Sequence, residues 1–274
     1  MEARETPHVA GRLAGKVAII GGAGSIGPGW GNGKASATLM ARAGAAVVAV
    51  DRDPDAAAQT VEIIRAEGGQ AIAVEGDLSR SETAQKLVAE TLSAFGRIDI
   101  LHNNVGIVRT GGLVDTDEET WDMVHAVNLK SAYLTSQAVA PEMLKNGGGS
   151  MIHTASIAGI RHIGVDYLSY STTKGALLPF SRSIALEYAG RGIRSNCILP
   201  GLMNTPMIRV GLPDAYADGD AEEMVRLRDA QCPMGHMGNA WDVAFAALFL
   251  GSDESRYITG TEIIVDGGIT AKFG

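Results

Sequence analysis

The stretch GGAGSIGPGWGNGKASA, Gly21–Ala37, decides how this chain is read. It follows KVAII (Lys16–Ile20), an apolar run that reads as a buried strand, and it leads into the alanine-rich, helical Lys34–Ala43, which Gly44 ends. A glycine-rich turn between a strand and a helix lets backbone N–H groups approach a pyrophosphate at the helix N-terminus. A P-loop is excluded in detail. Ala35 follows Gly33-Lys34 where a P-loop needs Ser or Thr, and Pro28 stands where its first glycine belongs.

Outward from this turn, short β-rich runs alternate with helical patterns. AAVVAV (Ala45–Val50), QAIAVEG (Gln70–Gly76), IDILHN (Ile98–Asn103), SMIHTAS (Ser150–Ser156), IRSNCIL (Ile193–Leu199) and TEIIVDGG (Thr261–Gly268) read as strands. Helices are expected from Pro54, over Ser81–Phe95, Glu118–Met143, Leu168–Tyr188 and Trp241–Leu250. Strands separated by helices imply an α/β fold, with a doubly wound parallel sheet of about seven strands and helices on both faces. The strands are apolar on both faces, as such a sheet requires. With no repeat and no low-complexity linker, residues 12–274 read as one domain behind an extension at 1–11. The irregular stretch 202–238, with a short helix near Ala221–Ala230, reads as a lid.

Composition narrows the partners. Among 274 residues, 23 Lys plus Arg against 31 Asp plus Glu give a net charge of −8, which argues against a nucleic-acid surface. The 35 glycines, about 13% of the chain, nearly double the usual ~7% and point to many tight turns or close backbone approaches. Two cysteines make no disulfide framework, and no His/Cys spacing suits a metal. No apolar run reaches the ~20 residues that span a bilayer, and the first twelve residues do not read as a signal peptide. A cytoplasmic protein acting on a small molecule is expected.

Two further positions carry chemistry. Asp51 ends the second strand, about 20 residues past the glycines. An acid there can bond both ribose hydroxyls of an adenosine and repel a 2′-phosphate, which favours NAD over NADP. Arg52 is a counterweight, because a guanidinium can accept that phosphate. Tyr170 and Lys174, four apart, share one face of a helix. A neighbouring ammonium is expected to lower the phenol pKa and fit it for acid/base work. Tyr167 lies one turn earlier on the same face, and the spacing alone does not choose between the two tyrosines.

Taken in order from about Leu13 to Gly268, these residues resemble the short-chain dehydrogenase/reductase family, with its Rossmann-like fold. The matching positions are Gly22, Gly31 and Gly33 in the loop, Asp51, Asp77 in GDL, NNVG (Asn103–Gly106), Asn128, Ser156, Tyr170 with Lys174, Pro200-Gly201 and the closing VDGG. The resemblance implies hydride transfer between a nicotinamide cofactor and a secondary alcohol or ketone. It implies that Tyr170 moves the proton and Ser156 hydrogen-bonds the substrate oxygen. Lys174 would hold the nicotinamide ribose and lower the Tyr170 pKa, and Asn128 would hold a water linking Lys174 to solvent. Asp77 and Leu78 would flank the adenine, Asn104 and Gly106 would let backbone pass close to the cofactor, and Thr205 would bond the nicotinamide carboxamide. Similar proteins are usually homotetramers or dimers built through the long helices bearing Asn128 and Tyr170.

The chain departs from the family pattern at the loop, where five extra residues lie between Gly22 and Gly31. Trp30, in this insert, is expected to cover the cofactor phosphates. Tyr167 with Lys174 also fits the spacing of a divergent enoyl-reductase branch, so reduction of a C=C bond stays open, as does a non-catalytic NAD sensor. The lid carries five of the ten methionines, which suit an apolar or bulky substrate. His162 is a further candidate to reach the pocket.

Overall fold

The computed structural model describes residues 9–210, 212 and 219–272. Most of the expected N-terminal extension, and residues 211 and 213–218 of the expected lid, lie outside them. Seven strands form one parallel sheet in the order β3-β2-β1-β4-β5-β6-β7. They are β1 (Val17–Gly21), β2 (Ala46–Asp51), β3 (Ala71–Glu75), β4 (Ile100–Asn103), β5 (Gly149–Thr154), β6 (Ile193–Pro200) and β7 (Glu262–Val265). Side chains alternate between the two faces with period two, so both faces must be apolar. Ala18, Ile20, Val47 and Ala49 enter one core, and Ile19, Val48, Val50 and Leu101 the other.

Helices α1 (Asn32–Arg42), α2 (Pro54–Ala66) and α8 (Ala240–Gly251) cover the first face. Helices α3 (Ser81–Phe95), α5 (Ser131–Lys145) and α6 (Leu168–Tyr188) cover the second. Local chemistry sets the ends. Asp53 accepts from the Asp55 and Ala56 amides and so caps α2. Gly96 closes α3 in the left-handed region, at φ 75°. Asn239 and Asp242 form a reciprocal capping box on α8. No described helix is long and apolar enough to cross a membrane.

The expected long helix at 118–143 is interrupted. Helix α4 (Glu118–His125) passes through a π-helical turn, Ala126–Lys130, before α5 begins. The extra residue turns Asn128 inward. Its carboxamide accepts from the Ile107 amide at 2.8 Å and donates to the Ile107 carbonyl at 3.0 Å. A buried primary amide that closes this two-bond ring offsets the poorer helix geometry. The chain leaving β4 is thereby held in place.

Strands to either side of the β1/β4 pair are wound in opposite directions, so the ends of these two strands part and leave a crevice. The stretch expected to be a lid is tied at its base, where the Asn204 amide bonds the Gly238 carbonyl at 2.8 Å and the Gly238 amide bonds the Leu202 carbonyl at 3.1 Å. Helix α7 (Ala221–Gln231) rises from that base over the strand ends.

Candidate active site

A cleft of about 380 Å³ lies at the C-terminal ends of the strands. At one end are Gly22, Gly31, Gly33, Asp51, Asp77 and Leu78. Asn104, Gly106, Ser156, Tyr170, Lys174, Pro200, Gly201 and Thr205 line the rest. Of the four residues expected to be catalytic, Ser156, Tyr170 and Lys174 line it and Asn128 does not. It stands behind the wall, on Ile107 and on the Thr173 hydroxyl at 3.2 Å.

The loop end is shaped to admit an anion. Helix α1 begins at Gly31 with no side-chain cap and no acid in its first turn, leaving its N–H groups and dipole toward the cleft. Asn32 Oδ1 is buried there without a partner among the described residues. Gly22 sits at φ 68°, where a side chain is strained. At Gly33 a Cβ would lie 1.8 Å from the Gly22 carbonyl oxygen, so helix and loop touch backbone to backbone. Asn104 Nδ2 also donates to that oxygen, at 3.3 Å. Asp51 is held by the Gly24 and Asp53 amides at 2.9 and 3.1 Å. Burial works against the Asp77 carboxylate, but the Ser79 hydrogen bonds and the charges of Arg80 and Arg52 hold it below its ordinary value. This cradle fits a dinucleotide: a bare helix end for pyrophosphate, an acid at the second strand end, and glycines where a Cβ would fill the groove.

Trp30 does not reach this groove. Its ring packs on Trp241 of α8 with centroids 4.7 Å apart, and the Lys34 ammonium lies 5.4 Å from its centroid. The insert turns this large apolar ring onto the helix layer, where it is shielded. Ile26, from the same insert, lines the cleft instead.

The other end is polar on one wall and apolar on the other. Ser156 Oγ accepts from the Ala158 amide at 3.1 Å, which fixes its rotamer at the end of β5. Lys174 Nζ donates to the Thr154 carbonyl at 2.7 Å and lies 5.9 Å from the Tyr170 ring centroid. Gly106 makes this possible, since a Cβ there would stand 2.9 Å from Nζ. Burial pushes the lysine down to about 8, leaving it largely protonated at neutral pH.

The tyrosine corrects the expectation of a lowered pKa. Burial pushes the phenol above its ordinary value, while the Ser156 hydrogen bond and the Arg228 charge pull the other way. Desolvation of a phenolate outweighs both. Tyr170 therefore stands as a neutral proton donor at pH 7.

The apolar lining is Ile163, Leu202, Met203, Met207, Ile208 and Leu212. The lid methionines divide: Met203 and Met207 face the cleft, Met224 and Met237 pack inside the lid, and Met234 is exposed. His162 is exposed and away from the cleft, and its neighbour Ile163 lines it. Tyr167 also lines the cleft, its ring edge-on to Tyr170 at 5.8 Å. The sequence reading missed Arg228, a buried cation on α7 that lines the same space. It lies 58 residues from Tyr170 in an irregular segment, and no spacing connects the two.

Beneath the site the sheet buries two histidines. His102 Nε2 meets Thr154 Oγ1 at 2.9 Å, and His153 bonds Asn103 and Ser195, both at 3.2 Å. Burial pushes both imidazoles down to about 3. An unfolded histidine titrates near 6.5, so the unfolded chain binds more protons at any pH between about 3 and 6.5. The stability that neutral burial provides is whole above pH 6.5 and lost as pH falls toward 3. Urea unfolding at pH 7 and pH 5 is expected to differ by about 4 kcal/mol from this pair, at ~1.4 kcal/mol per unit for each ring. An unchanged midpoint would contradict the buried neutral pair.

With this geometry described, the chain can be set beside known proteins. A family model described as Enoyl-(Acyl carrier protein) reductase matches residues 27–270. The 2,5-dichloro-2,5-cyclohexadiene-1,4-diol dehydrogenase LinX of Sphingobium indicum is 38% identical over 260 residues, covering 95% of this chain and 98% of its own. Carveol dehydrogenase from Mycobacterium avium, solved in complex with NAD, superposes with a TM-score of 0.90 at 26% identity, covering 96% of this chain and 100% of its own. A gluconate 5-dehydrogenase from Burkholderia cenocepacia, solved with NADP and tartrate, gives 0.86 at 30% identity, covering 97% and 99%.

Proposed function

The chain belongs to the short-chain dehydrogenase/reductase family, oxidoreductases that use nicotinamide cofactors on alcohols, and from that premise we propose an NAD-dependent dehydrogenase of secondary alcohols with Tyr170 as acid/base. The observation that carries the proposal is the meeting of Ser156, Tyr170 and Lys174 at one end of a cleft whose other end is a dinucleotide cradle. The bound nicotinamide would supply the hydride acceptor for oxidation, or the donor for reduction.

The chain's own residues do the rest. Ser156 Oγ, fixed by the Ala158 amide, hydrogen-bonds the substrate oxygen as charge develops on it. The Tyr170 phenol gives that oxygen its proton in reduction; in oxidation its phenolate, formed by prior loss of the proton to solvent, takes the substrate hydroxyl proton. Lys174, tied to the Thr154 carbonyl, keeps a positive charge beside the phenol and would hold the nicotinamide ribose. Asn128 fixes Ile107 and the turn through Gly106 against which Lys174 lies. The loop glycines and the α1 N-terminus would hold the pyrophosphate, Asp51 the adenosine ribose, Leu78 the adenine, and Thr205 with Pro200-Gly201 the nicotinamide carboxamide. The apolar lid wall suits a hydrocarbon frame, and relatives named for a cyclohexadienediol and for carveol make cyclic alcohols the first to try. An apolar groove along Leu129, Tyr133, Ala176 and Phe180 supports assembly through the α5 and α6 faces, as a dimer or tetramer.

Cofactor choice rests on Asp51. Its carboxylate, anchored by two backbone amides, would repel a 2′-phosphate. Initial rates on a panel of cyclic secondary alcohols are expected to favour NAD over NADP. Asp51→Asn keeps the acceptor and removes the charge, and is expected to lower the NAD:NADP ratio of kcat/KM about tenfold or more, roughly the ~1.4 kcal/mol of one lost repulsion. Preference for NADP in the wild type would overturn the assignment, and no turnover of any alcohol by a protein that binds NADH would overturn the dehydrogenase reading.

A further inference from the structure

The two histidines under the site are not used alike. His153 satisfies both ring nitrogens within the sheet, Nδ1 on Asn103 and Nε2 on Ser195. A structural imidazole is ordinarily buried in this way. His102 is just as deeply buried, yet its Nδ1 has no partner among the described residues. Its neighbours in register are Ile20 on β1 and Ile152 on β5, both without exposed surface. An apolar side chain would suit that position, and a half-satisfied imidazole there is costly.

The other ring nitrogen points at the catalytic end. His102 Nε2 meets Thr154 Oγ1 at 2.9 Å, a bond that either neutral tautomer can make. Thr154 is the last residue of β5 and lines the cleft. The register with β4 ends one residue earlier, at Asn103–His153, so the His102 bond adds a side-chain tie at the strand end. The Thr154 carbonyl in turn accepts from Lys174 Nζ at 2.7 Å. One residue therefore links the imidazole to the ammonium. Burial, and after it the Lys174 charge, push His102 down to about 3, so the ring stays neutral and sets no second cation beside the first. The other titratable groups about Lys174 are Tyr170 on its own helix and Cys197 on β6. Burial pushes the Cys197 thiol up to about 12, so it too is uncharged.

We propose that His102 is a positioning residue for the Lys174 ammonium and acts through Thr154. By holding the Thr154 side chain it fixes the direction of that residue's carbonyl, and with it the place of Nζ beside the Tyr170 ring. This rests on Lys174 serving the nicotinamide site proposed above. The test reads Lys174 itself and needs no turnover. Failure to oxidise any alcohol would sink that reading and leave this result legible.

The full-length protein, labelled with 13C at lysine Cε, is titrated by NMR, and Lys174→Met identifies the signal. Lys174 is expected to titrate near 8 in the wild type, well apart from exposed lysines at about 10.4. In His102→Val the bond to Thr154 is lost, the carbonyl is less firmly held, and the midpoint is expected to fall by about one pH unit. His102→Gln sets an amide nitrogen about where Nε2 lies and is expected to restore most of the difference. Thr154→Val breaks the same bond from its other end and is expected to give the same fall. The double variant His102→Val/Thr154→Val is expected to fall no further than either single one, because both act on one link. An unmoved midpoint in His102→Val, a His102→Gln protein that behaves like it, or shifts that add in the double variant would overturn the proposal. Additive shifts would mean that the imidazole acts on the charge directly and not through Thr154. Thermal unfolding reports whether each variant is folded. Should His102→Val not fold, Thr154→Val decides, and an unmoved midpoint there is equally fatal.

Discussion

Replacing Tyr170 with Phe is expected to lower kcat by about 10²–10⁴-fold, the usual contribution of a positioned proton donor, while NADH binding and thermal stability stay near wild type. The ring is half-buried against the lid core of Tyr167, Leu202 and Met237, and Phe keeps every one of those apolar contacts. Only the hydroxyl is lost, together with its hydrogen bond to Ser156. The outcome also separates two tyrosines. Tyr167 lines the same cleft 5.8 Å from Tyr170, centroid to centroid. If Tyr167→Phe loses turnover and Tyr170→Phe keeps it, the assignment of the acid/base to Tyr170 is wrong. Steady-state rates on one cyclic alcohol, with NADH titrations of both variants, decide the matter.

The second large effect is expected at Gly33. Its Cα faces the Gly22 carbonyl so closely that a Cβ would stand 1.8 Å from the oxygen, 2.7 Å from the carbon and 2.8 Å from Asn104 Nδ2. Two of these three atoms are backbone, so no rotamer change relieves the clash. Gly33→Ala must push the loop off the start of α1, which spoils the amide cradle for a pyrophosphate. NADH affinity is expected to fall at least about 100-fold, nearly 3 kcal/mol, and the fold to lose roughly 1–3 kcal/mol as an overpacked site does. Gly190→Ala is the control, because a Cβ there meets nothing within 4 Å and the residue is not left-handed. Fluorescence titration and thermal unfolding of the two variants check both effects. A Gly33→Ala protein that binds NADH normally would mean the loop can retreat from the helix without consequence.

Much of this molecule was legible in its residues. Short continuous apolar runs separated by helical stretches imply a parallel sheet covered on both faces, because such a sheet buries both sides of strands such as Ala46–Asp51. Helix boundaries at Ser81–Phe95 and Leu168–Tyr188 agree to the residue, and Gly96 marks the first of these ends in the sequence. The cofactor-end glycines, Asp51, and the Ser156, Tyr170 and Lys174 set could be named because their spacing is local or their order along the chain is distinctive.

What only the tertiary structure decided are matters of distance across the sequence and of competing energies. The inward turn of Asn128 depends on a π-helical turn that packing against Ile107 stabilises, and helical periodicity does not report it. Trp30 follows Trp241, more than two hundred residues away, rather than the groove beside it. The Tyr170 pKa moves upward because burial outweighs the neighbouring charges, a balance that four-residue spacing cannot weigh. Arg228 looks like any other charge on a polar helix, and only the packing of distant segments buries it. Sequence pattern reads what neighbouring residues do to one another, whereas burial and partnership are set when distant segments meet.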